Sequence, residues 1–386
     1  MAGIYLHIPY CKQACLYCNF HFSTSLKTRN DFVTALLKEM DLQKHYLGEE
    51  PVETIYFGGG TPSLLTKTEI QVILEKLYAV FEVGADTEIT LEANPDDITE
   101  AELQNWIRAG VNRLSIGVQS FFQEDLVWMN RAHNATQAIR SIMSAKEQGI
   151  DNISIDLIYG TPDLSNEAWQ ENLSTALGLG IPHLSCYALT LEPNTALYHL
   201  IKQKKTPDLD SDKQANQFLL MSEILEKAGY EHYEISNFAL PKKRSRHNTA
   251  YWLGKKYLGL GPSAHSYNGQ YRQWNIASNL GYIQAITENR PAFAKEELTQ
   301  TQQINEYIMI SLRTTEGIDL KKIADNFGTQ TSQTLYTMAR PYLKDLRLQQ
   351  RNENLVLTRE GKLFADGIAA SLFFTDHGAK NDPGEI

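Results

Sequence analysis

The segment Cys11-Lys-Gln-Ala-Cys15-Leu-Tyr-Cys18 follows directly on a β-rich run over residues 3–8. Its thiols are therefore predicted to lie in a loop at the carboxyl end of a strand, where thiolates can converge on an ion or a cluster. The four cysteines of the chain could pair as two disulfides. However, three thiols this close together favour metal ligation in a reducing compartment. Cys186 lies in an apolar run and is interpreted as a buried structural residue.

The chemistry of the cysteine loop favours an iron–sulfur cluster over zinc. A structural zinc ion takes four protein ligands, and the sequence contains no second cysteine pair to complete such a site. Three thiolates suit an iron–sulfur cube that has one open iron. A zinc site completed by His7 or His21 is the alternative that the residues leave open.

Around this loop, the first half of the chain alternates β-rich runs with amphipathic helical runs. Strands are predicted over 3–8, 53–57, 88–92, 113–119, 152–158 and 183–189, and helices over 29–46, 66–80, 99–109, 134–148 and 165–178. Thr66 and Thr99, each followed by a glutamate three residues later, predict capping boxes at two helix starts. Such alternation predicts a parallel sheet with right-handed crossovers, and six units are too few for a closed eight-stranded barrel. The fold class is therefore α/β, with an open, TIM-like partial (β/α)6 barrel.

After residue 190 the pattern changes. Helices are predicted over 209–228, 276–289, 301–314, 319–326, 331–344 and 359–373, with a loop-rich interval at 236–275 and a hairpin around 348–358. The last of these elements outline a winged helix, but the candidate recognition helix over 331–340 contains a single basic residue, so we expect a packing domain. The predicted division is a barrel over 1–235, a connecting region over 236–300, a helical, winged-helix-like C-terminal domain over 301–375 and a flexible tail over 376–386.

Composition excludes several classes of protein. The 386 residues are 42% hydrophobic and 21% charged, as in an ordinary globular protein. A net charge of −10 argues against a general affinity for nucleic acid or for an anionic membrane surface. The start of the sequence lacks the features of a signal peptide, and no stretch reaches the roughly 18 apolar residues of a membrane helix. We therefore expect a cytoplasmic protein without membrane insertion.

The C-x3-C-x2-C spacing, with Tyr17 before the last cysteine, resembles the signature of the radical S-adenosylmethionine (radical SAM) superfamily. The resemblance implies a [4Fe-4S] cluster on Cys11, Cys15 and Cys18, with the fourth iron chelated by the amino and carboxylate groups of SAM. It also implies a partial barrel of six β/α units.

The same resemblance implies a set of SAM-binding residues at or near the strand ends. They are Tyr5, Tyr17, Gly59, Gly60, Thr61, Glu92, Gln119, Arg131 and Asp156. Glycines let the backbone approach a ligand closely, carboxylates can accept hydrogen bonds from an ammonium group or ribose hydroxyls, and arginine can pair with a carboxylate. For Glu92 and Asp156 taken singly, capping of the following helix is the structural alternative.

Within the superfamily, Phe57-Gly-Gly-Gly-Thr-Pro62 and Asp156-Leu-Ile-Tyr-Gly-Thr-Pro162 resemble the oxygen-independent coproporphyrinogen III oxidase group, and this resemblance covers nearly the whole chain. The group contains decarboxylating oxidases of the HemN type and a shorter HemW type, thought to act as haem chaperones. The oxidases carry a further cysteine two positions after the third cluster cysteine, and a long amino-terminal extension. Here Asn19 and Phe20 follow Cys18, and ten residues precede Cys11. We therefore expect the HemW type, without oxidase activity.

Residues 246–252 read Arg-His-Asn-Thr-Ala-Tyr-Trp and match the HNxxYW motif, which marks the HemW type and is associated with haem binding. The haem-binding residues predicted from this motif are His247, Asn248, Tyr251 and Trp252. The histidine can ligate iron, and the aromatic rings can lie against a porphyrin. The basic residues Lys242, Lys243, Arg244 and Arg246 can neutralise propionates. Without the motif, His247 would be interpreted as a structural hydrogen-bonding residue in a solvated basic loop.

The function implied by this resemblance is that of a haem chaperone, which binds haem and passes it to acceptor haemoproteins of unknown identity. The alternatives are the oxidase reaction and a zinc-stapled interaction or DNA-binding protein. An open, exposed cluster would also gain protection from a homodimer.

Overall fold

The computed structural model describes residues 2–375. Its first half contains the six strands that the sequence predicts. They are β1 (Ala2–Ile8), β2 (Val52–Gly59), β3 (Val83–Ala93), β4 (Arg113–Gln119), β5 (Ile153–Tyr159) and β6 (His183–Ala188). The helices between them are α1 (Arg29–Leu42), α2 (Lys67–Val80), α3 (Glu100–Ala109), α4 (Gln123–Trp128), α5 (Ala135–Glu147) and α6 (Asn166–Gly178). The alternation is confirmed; α4 is an addition, too short to show a helical period.

All six strands pair in parallel, in the order β1-β2-β3-β4-β5-β6. They are almost entirely buried because helices cover one face and the other face lines the barrel. The apolar core lies between the sheet and the helices, with Trp106 in α3 and Trp169 in α6 as its largest fully buried side chains. The carboxyl ends of the strands meet along one rim of the barrel.

The prediction of a loop-rich interval over 236–275 is wrong. The second half of the barrel region contains α7 (Ala196–Lys202), α8 (Ser211–Lys227), β7 (Glu231–Glu234), β8 (Asn237–Ala239), α9 (Arg246–Trp252), β9 (Lys256–Leu260), β10 (His265–Tyr267), β11 (Tyr271–Asn275), α10 (Asn279–Thr287) and β12 (Phe293–Glu297). The strands between 236 and 275 are too short to show a period of two; β8 and β9 pair with the distant β6 and β1, whereas β10 and β11 form a local hairpin. They extend both edges of the sheet, whose order is β12-β11-β10-β9-β1-β2-β3-β4-β5-β6-β8-β7.

The C-terminal domain is helical and resembles a winged helix, as predicted. It contains α11 (Gln300–Leu312), β13 (Ile318–Asp319), α12 (Leu320–Phe327), α13 (Thr329–Lys344), β14 (Leu348–Arg351), β15 (Asn354–Leu357) and α14 (Ala365–Ser371). A 3₁₀ turn over Gly361–Phe364 replaces the start of the predicted last helix. The domain has an apolar core of its own around Ile308 and Leu335.

The predicted domain boundaries at 235, 300 and 375 stay predictions, and the predicted flexible tail over 376–386 lies outside the described residues. Across residues 2–375, no helix has both the length and the apolar character that crossing a bilayer requires.

A buried carboxylate ties α1 to the extended edge of the sheet. Glu39 is 1% exposed. It accepts hydrogen bonds from the Tyr282 hydroxyl at 2.6 Å, the Gly261 N–H at 2.8 Å and the Asn275 side-chain amide at 2.7 Å. Burial raises the pKa of Glu39 to about 7, although the three donors act in the opposite direction.

We expect Glu39 to make the stability of the protein depend on pH. Since its pKa is about 7 in the folded chain against 4.5 for an ordinary glutamate, the folded state binds more protons, and the stability that protonation contributes is lost as the pH rises towards 7. This shift corresponds to roughly 3 kcal/mol. Glu39→Gln should therefore flatten the dependence of the melting temperature on pH between about 4.5 and 7, as measured by differential scanning fluorimetry. Asp41→Asn, an exposed carboxylate in the same helix, is the control, and parallel curves for Glu39→Gln and wild type would contradict the assignment.

Candidate functional site

A cavity of about 1220 Å³ opens at the carboxyl ends of the barrel strands and extends to the C-terminal domain. Its lining includes Cys11, Cys15 and Cys18 from the barrel and Arg347 and Lys362 from the C-terminal domain. A pocket for one small molecule typically measures roughly 300–1,000 Å³. The cavity therefore has room for more than one ligand.

The structure brings the three cysteines of the loop to the same wall. All three thiols are free and partly exposed, whereas Cys186 in β6 is buried, as predicted. Within residues 2–375, no three side chains of His, Cys, Asp or Glu approach closely enough to share a single metal ion. In a cubane cluster each cysteine binds a different iron, so the sulfurs need not meet at one point. The donor set fits a cluster better than a zinc ion.

Contacts to two neighbouring loops brace the cysteine loop. The Lys12 ammonium pairs with the carboxylates of Asp96, at 2.8 Å, and Asp97, both in the turn after β3. The Gln13 side-chain amide donates to the Asn130 side-chain oxygen at 2.6 Å. The residues between Cys11 and Cys15 thus hold the loop against the ends of β3 and α4.

Arg131 connects the cysteine loop with the barrel rim. Its guanidinium donates to the Cys15 sulfur at 3.2 Å, to the Asn94 side-chain oxygen at 2.7 Å and to the Gly117 carbonyl at 2.8 Å. The Arg131 Nε is buried and has no hydrogen-bond partner among the described residues. Sequence reasoning missed Asn94, although its place directly after a predicted strand was a usable signal.

The glycine segment at the end of β2 lies against the end of β1. A Cβ atom on Gly60 would lie 2.6 Å from the Tyr10 carbonyl oxygen and 2.8 Å from that of Ile8. Gly59 has a φ of 105°, which L side chains rarely adopt. Gly59, Gly60 and Thr61 line the cavity beside the cysteines. This segment offers backbone groups to a ligand where a side chain would block the approach.

Two half-buried carboxylates, Glu92 from β3 and Asp156 from β5, line the cavity together with the glycine segment. Glu92 accepts a hydrogen bond from the Tyr56 hydroxyl at 2.7 Å. Burial raises the pKa of Glu92 to about 7 and that of Asp156 to about 6. A cationic ligand group would favour the ionised form of both.

The other predicted SAM-binding residues divide into two groups. Tyr17 and Gln119 line the cavity. Tyr5 does not; it lies deeper in the barrel, where its hydroxyl is 3.2 Å from His7 Nδ1 and its ring stacks on Tyr56. The alternation of side chains along β1 explains this separation, because Tyr5 points into the barrel interior below the rim.

The HNxxYW motif forms α9 and lies at the amino-terminal end of the barrel, away from the cysteines. His247 is 2% exposed. Its Nδ1 is 2.8 Å from the Thr54 hydroxyl, and its Nε2 is 2.8 Å from the Tyr251 hydroxyl. The imidazole also stacks on Tyr56 at 5.0 Å between centroids. Iron ligation by His247 does not fit this arrangement, because both ring nitrogens already have partners.

The rest of the motif is also engaged in the fold. The Glu88 carboxylate accepts hydrogen bonds from the backbone N–H groups of Arg246, at 3.0 Å, and His247, at 3.1 Å. The Asn248 N–H donates to the capping Ser245 hydroxyl at 3.2 Å. The Trp252 ring lies 5.4 Å from the Arg313 guanidinium of the C-terminal domain.

Part of the basic run before the motif is paired within the protein. Arg244 forms ion pairs with Glu231 at 3.0 Å and with Glu316 at 2.7 Å. The Arg246 guanidinium donates to the Asp86 carbonyl at 2.6 Å. The run is therefore less available to a ligand than its sequence suggests.

We expect His247→Ala to destabilise the protein by about 2–4 kcal/mol, since the substitution leaves a cavity and removes a partner from two hydroxyl groups. Chemical denaturation of the two proteins measures this difference. His45→Ala, at an exposed histidine, provides the matched control. Equal unfolding free energies for wild type and His247→Ala would show that the histidine does not support the fold.

Two family models match the chain: the radical SAM superfamily over residues 5–176 and the HemN C-terminal domain over residues 298–364. Among solved structures, coproporphyrinogen III oxidase (HemN) from Escherichia coli, described as a radical SAM enzyme, superposes with a TM-score of 0.83. The two sequences are 25% identical, and the match covers 96% of this chain and 90% of HemN.

The curated relatives include several proteins named heme chaperone HemW. The protein of Bacillus subtilis (strain 168) is 33% identical over 375 residues, which cover 95% of this chain and 98% of the relative. That of Mycobacterium tuberculosis (strain H37Rv) is 32% identical and covers 96% and 94%. That of Escherichia coli (strain K12) is 40% identical over 267 residues, covering 68% and 69%. The chain therefore belongs to the HemW family of the radical SAM superfamily.

Proposed function

We propose that this protein is a haem chaperone, which carries a SAM-binding [4Fe-4S] cluster, binds haem and passes it to acceptor haemoproteins. The cavity is the observation that carries this proposal. It joins the cysteine loop and the glycine segment of the barrel to apolar and cationic side chains of the C-terminal domain. Relatives that match over nearly their whole length bear the name heme chaperone.

Cys11, Cys15 and Cys18 would each hold one iron of the cluster. The SAM site would consist of the cavity-lining members of the predicted set, namely Tyr17, Gly59, Gly60, Thr61, Glu92, Gln119, Arg131 and Asp156. When bound, the cluster supplies one-electron chemistry and an open iron site. The chain orients these groups: Arg131 braces the cysteine loop, Gly60 allows close approach, and Glu92 and Asp156 accept hydrogen bonds from a cation.

In this proposal haem binds in the cavity and not at His247. The cavity is large, and it is lined by apolar side chains such as Leu189 and Phe364 and by the cations Arg347 and Lys362. A porphyrin with propionates needs this combination of surfaces. The HNxxYW helix would support the site from a distance, since Trp252 contacts Arg313, which also lines the cavity.

The oxidase reaction is a second candidate, favoured by the similarity to HemN along nearly the whole chain. Against it, Asn19 and Phe20 follow the third cluster cysteine, where the oxidases carry another cysteine two positions later.

We predict that Cys11→Ser, Cys15→Ser and Cys18→Ser each abolish the broad brown absorbance of the anaerobically reconstituted protein, because a serine hydroxyl is a poor ligand for the cluster irons. Cys186→Ser is the control, since this thiol is buried in β6 away from the loop. Iron and sulfide analysis accompanies the spectra. A loop variant that keeps the wild-type spectrum and iron content would contradict the ligand assignment.

Haem binding is tested by anaerobic titration of the reconstituted protein, followed by Soret absorbance. Wild type should show a saturable shift at one site. His247→Gln, whose amide can replace both hydrogen bonds of the imidazole, should keep this shift, because haem lies elsewhere. Loss of the shift in a His247→Gln sample with normal cluster content and melting temperature would return haem to the HNxxYW motif. No shift in wild type would overturn the chaperone proposal and favour assays of coproporphyrinogen turnover.

A further inference from the structure

The C-terminal wall of the cavity combines two cations with an exposed aromatic ring. Arg347 lies between α13 and β14, whereas Lys362 and Phe364 lie in the 3₁₀ turn that precedes α14. The Arg347 guanidinium is 4.2 Å from the centroid of the Phe364 ring. Gly361 packs directly on the Arg347 backbone, where any side chain would clash. The two segments are thus fixed side by side, and all three side chains line the cavity.

Lys362 is a cation without an ion-pair partner among residues 2–375. Its ammonium donates to the His232 carbonyl at 3.2 Å. Glu226 and Glu234 favour its charged form from a distance, and Arg351 and Arg359 oppose it. Burial lowers the pKa of Lys362 to about 8. An anionic ligand in the cavity would supply the counter-charge that the folded chain does not place in contact with this amine.

The other two cations of the wall differ in how firmly they are held. Arg347 pairs with Asp345 at 3.4 Å, and both side chains are more than 40% exposed. An exposed pair of this kind contributes little free energy, so it can exchange readily for a ligand carboxylate. Arg313, in contrast, is held by the buried Glu234 and by Asp366, both at 3.1 Å. Arg347 and Lys362 are therefore the cations available to a ligand.

The apolar part of the wall lies beside the Arg347 guanidinium. Phe364 is 47% exposed, and Leu363 and Ile368 line the cavity next to it. An exposed aromatic ring can cover the face of a flat apolar molecule, while flanking cations pair with carboxylates at its edge. The surface matches a large planar ring that carries carboxylates, which is the chemistry of a tetrapyrrole.

We infer that Arg347 and Lys362, with Phe364 beside them, form the subsite that binds the propionate carboxylates of the tetrapyrrole in the cavity. The inference rests on the proposed function, because it assumes that haem enters this cavity. In this arrangement the C-terminal domain recognises the charged edge of haem, and the barrel holds the cluster.

The test compares haem with haem dimethyl ester, which keeps the macrocycle but lacks both carboxylates. Each is titrated anaerobically into reconstituted wild type, Lys362→Met and Arg347→Met. We expect each substitution to weaken haem binding roughly tenfold, as the loss of one charge-assisted contact does. Binding of the ester should be unchanged. Lys344→Met, which removes an exposed charge in α13 outside the cavity, is the matched control, and cluster content and melting temperature verify that each variant is folded.

The possible outcomes distinguish failure of this subsite from failure of the proposed function. Wild type that fails to bind haem overturns the proposed function and this subsite together. Wild-type binding that neither substitution weakens overturns the subsite alone. Equal weakening for haem and for its ester also overturns it, because the substitutions would then act through the shape of the cavity and not through charge.

Discussion

The close contact between the ends of β1 and β2 is the constraint on which the site depends. The Gly60 N–H donates to the Ile8 carbonyl at 2.8 Å, and the Thr61 N–H donates to the Tyr10 carbonyl at 2.7 Å. These bonds continue the parallel pairing past the end of the sheet and bring the glycine segment beside Cys11. A side chain on Gly60 would separate the two strand ends. This backbone contact between the ends of β1 and β2 brings the cysteine loop, the glycine segment and the rim carboxylates to one cavity.

The polar interior of the barrel gives the HNxxYW helix its role. Thr54 and Glu88 are buried on the strands, and α9 brings His247 to Thr54 and two backbone N–H groups to Glu88. Buried polar groups need hydrogen-bond partners, and here the strands and α9 supply partners to each other. The HNxxYW motif can thus be characteristic of a family because it supports the fold of the barrel.

Much of the fold could be predicted because its signals are local. Parallel strands read as apolar runs, and the capping box at Thr66 and Glu69 is present in the structure. The cysteine spacing is equally local. The short strands after 236 could not be predicted, since they are too short to show a period of two and β8 and β9 pair with strands that are distant in sequence. The burial of His247 depends on Thr54, 193 residues away. No sequence pattern near Lys362 indicates that this residue lines the same cavity as Cys11.

The way in which the C-terminal domain is attached to the barrel affects the cavity that it helps to form. Ion pairs join the domain to the rest of the chain: Arg244 with Glu316, Arg313 with Glu234, and Arg359 with Glu226. Two of these pairs, Arg244 with Glu316 and Arg359 with Glu226, are partly exposed on both sides, and dissolved salt weakens exposed pairs. Since this domain contributes part of the cavity lining, salt that weakens these pairs weakens the attachment of that part of the cavity.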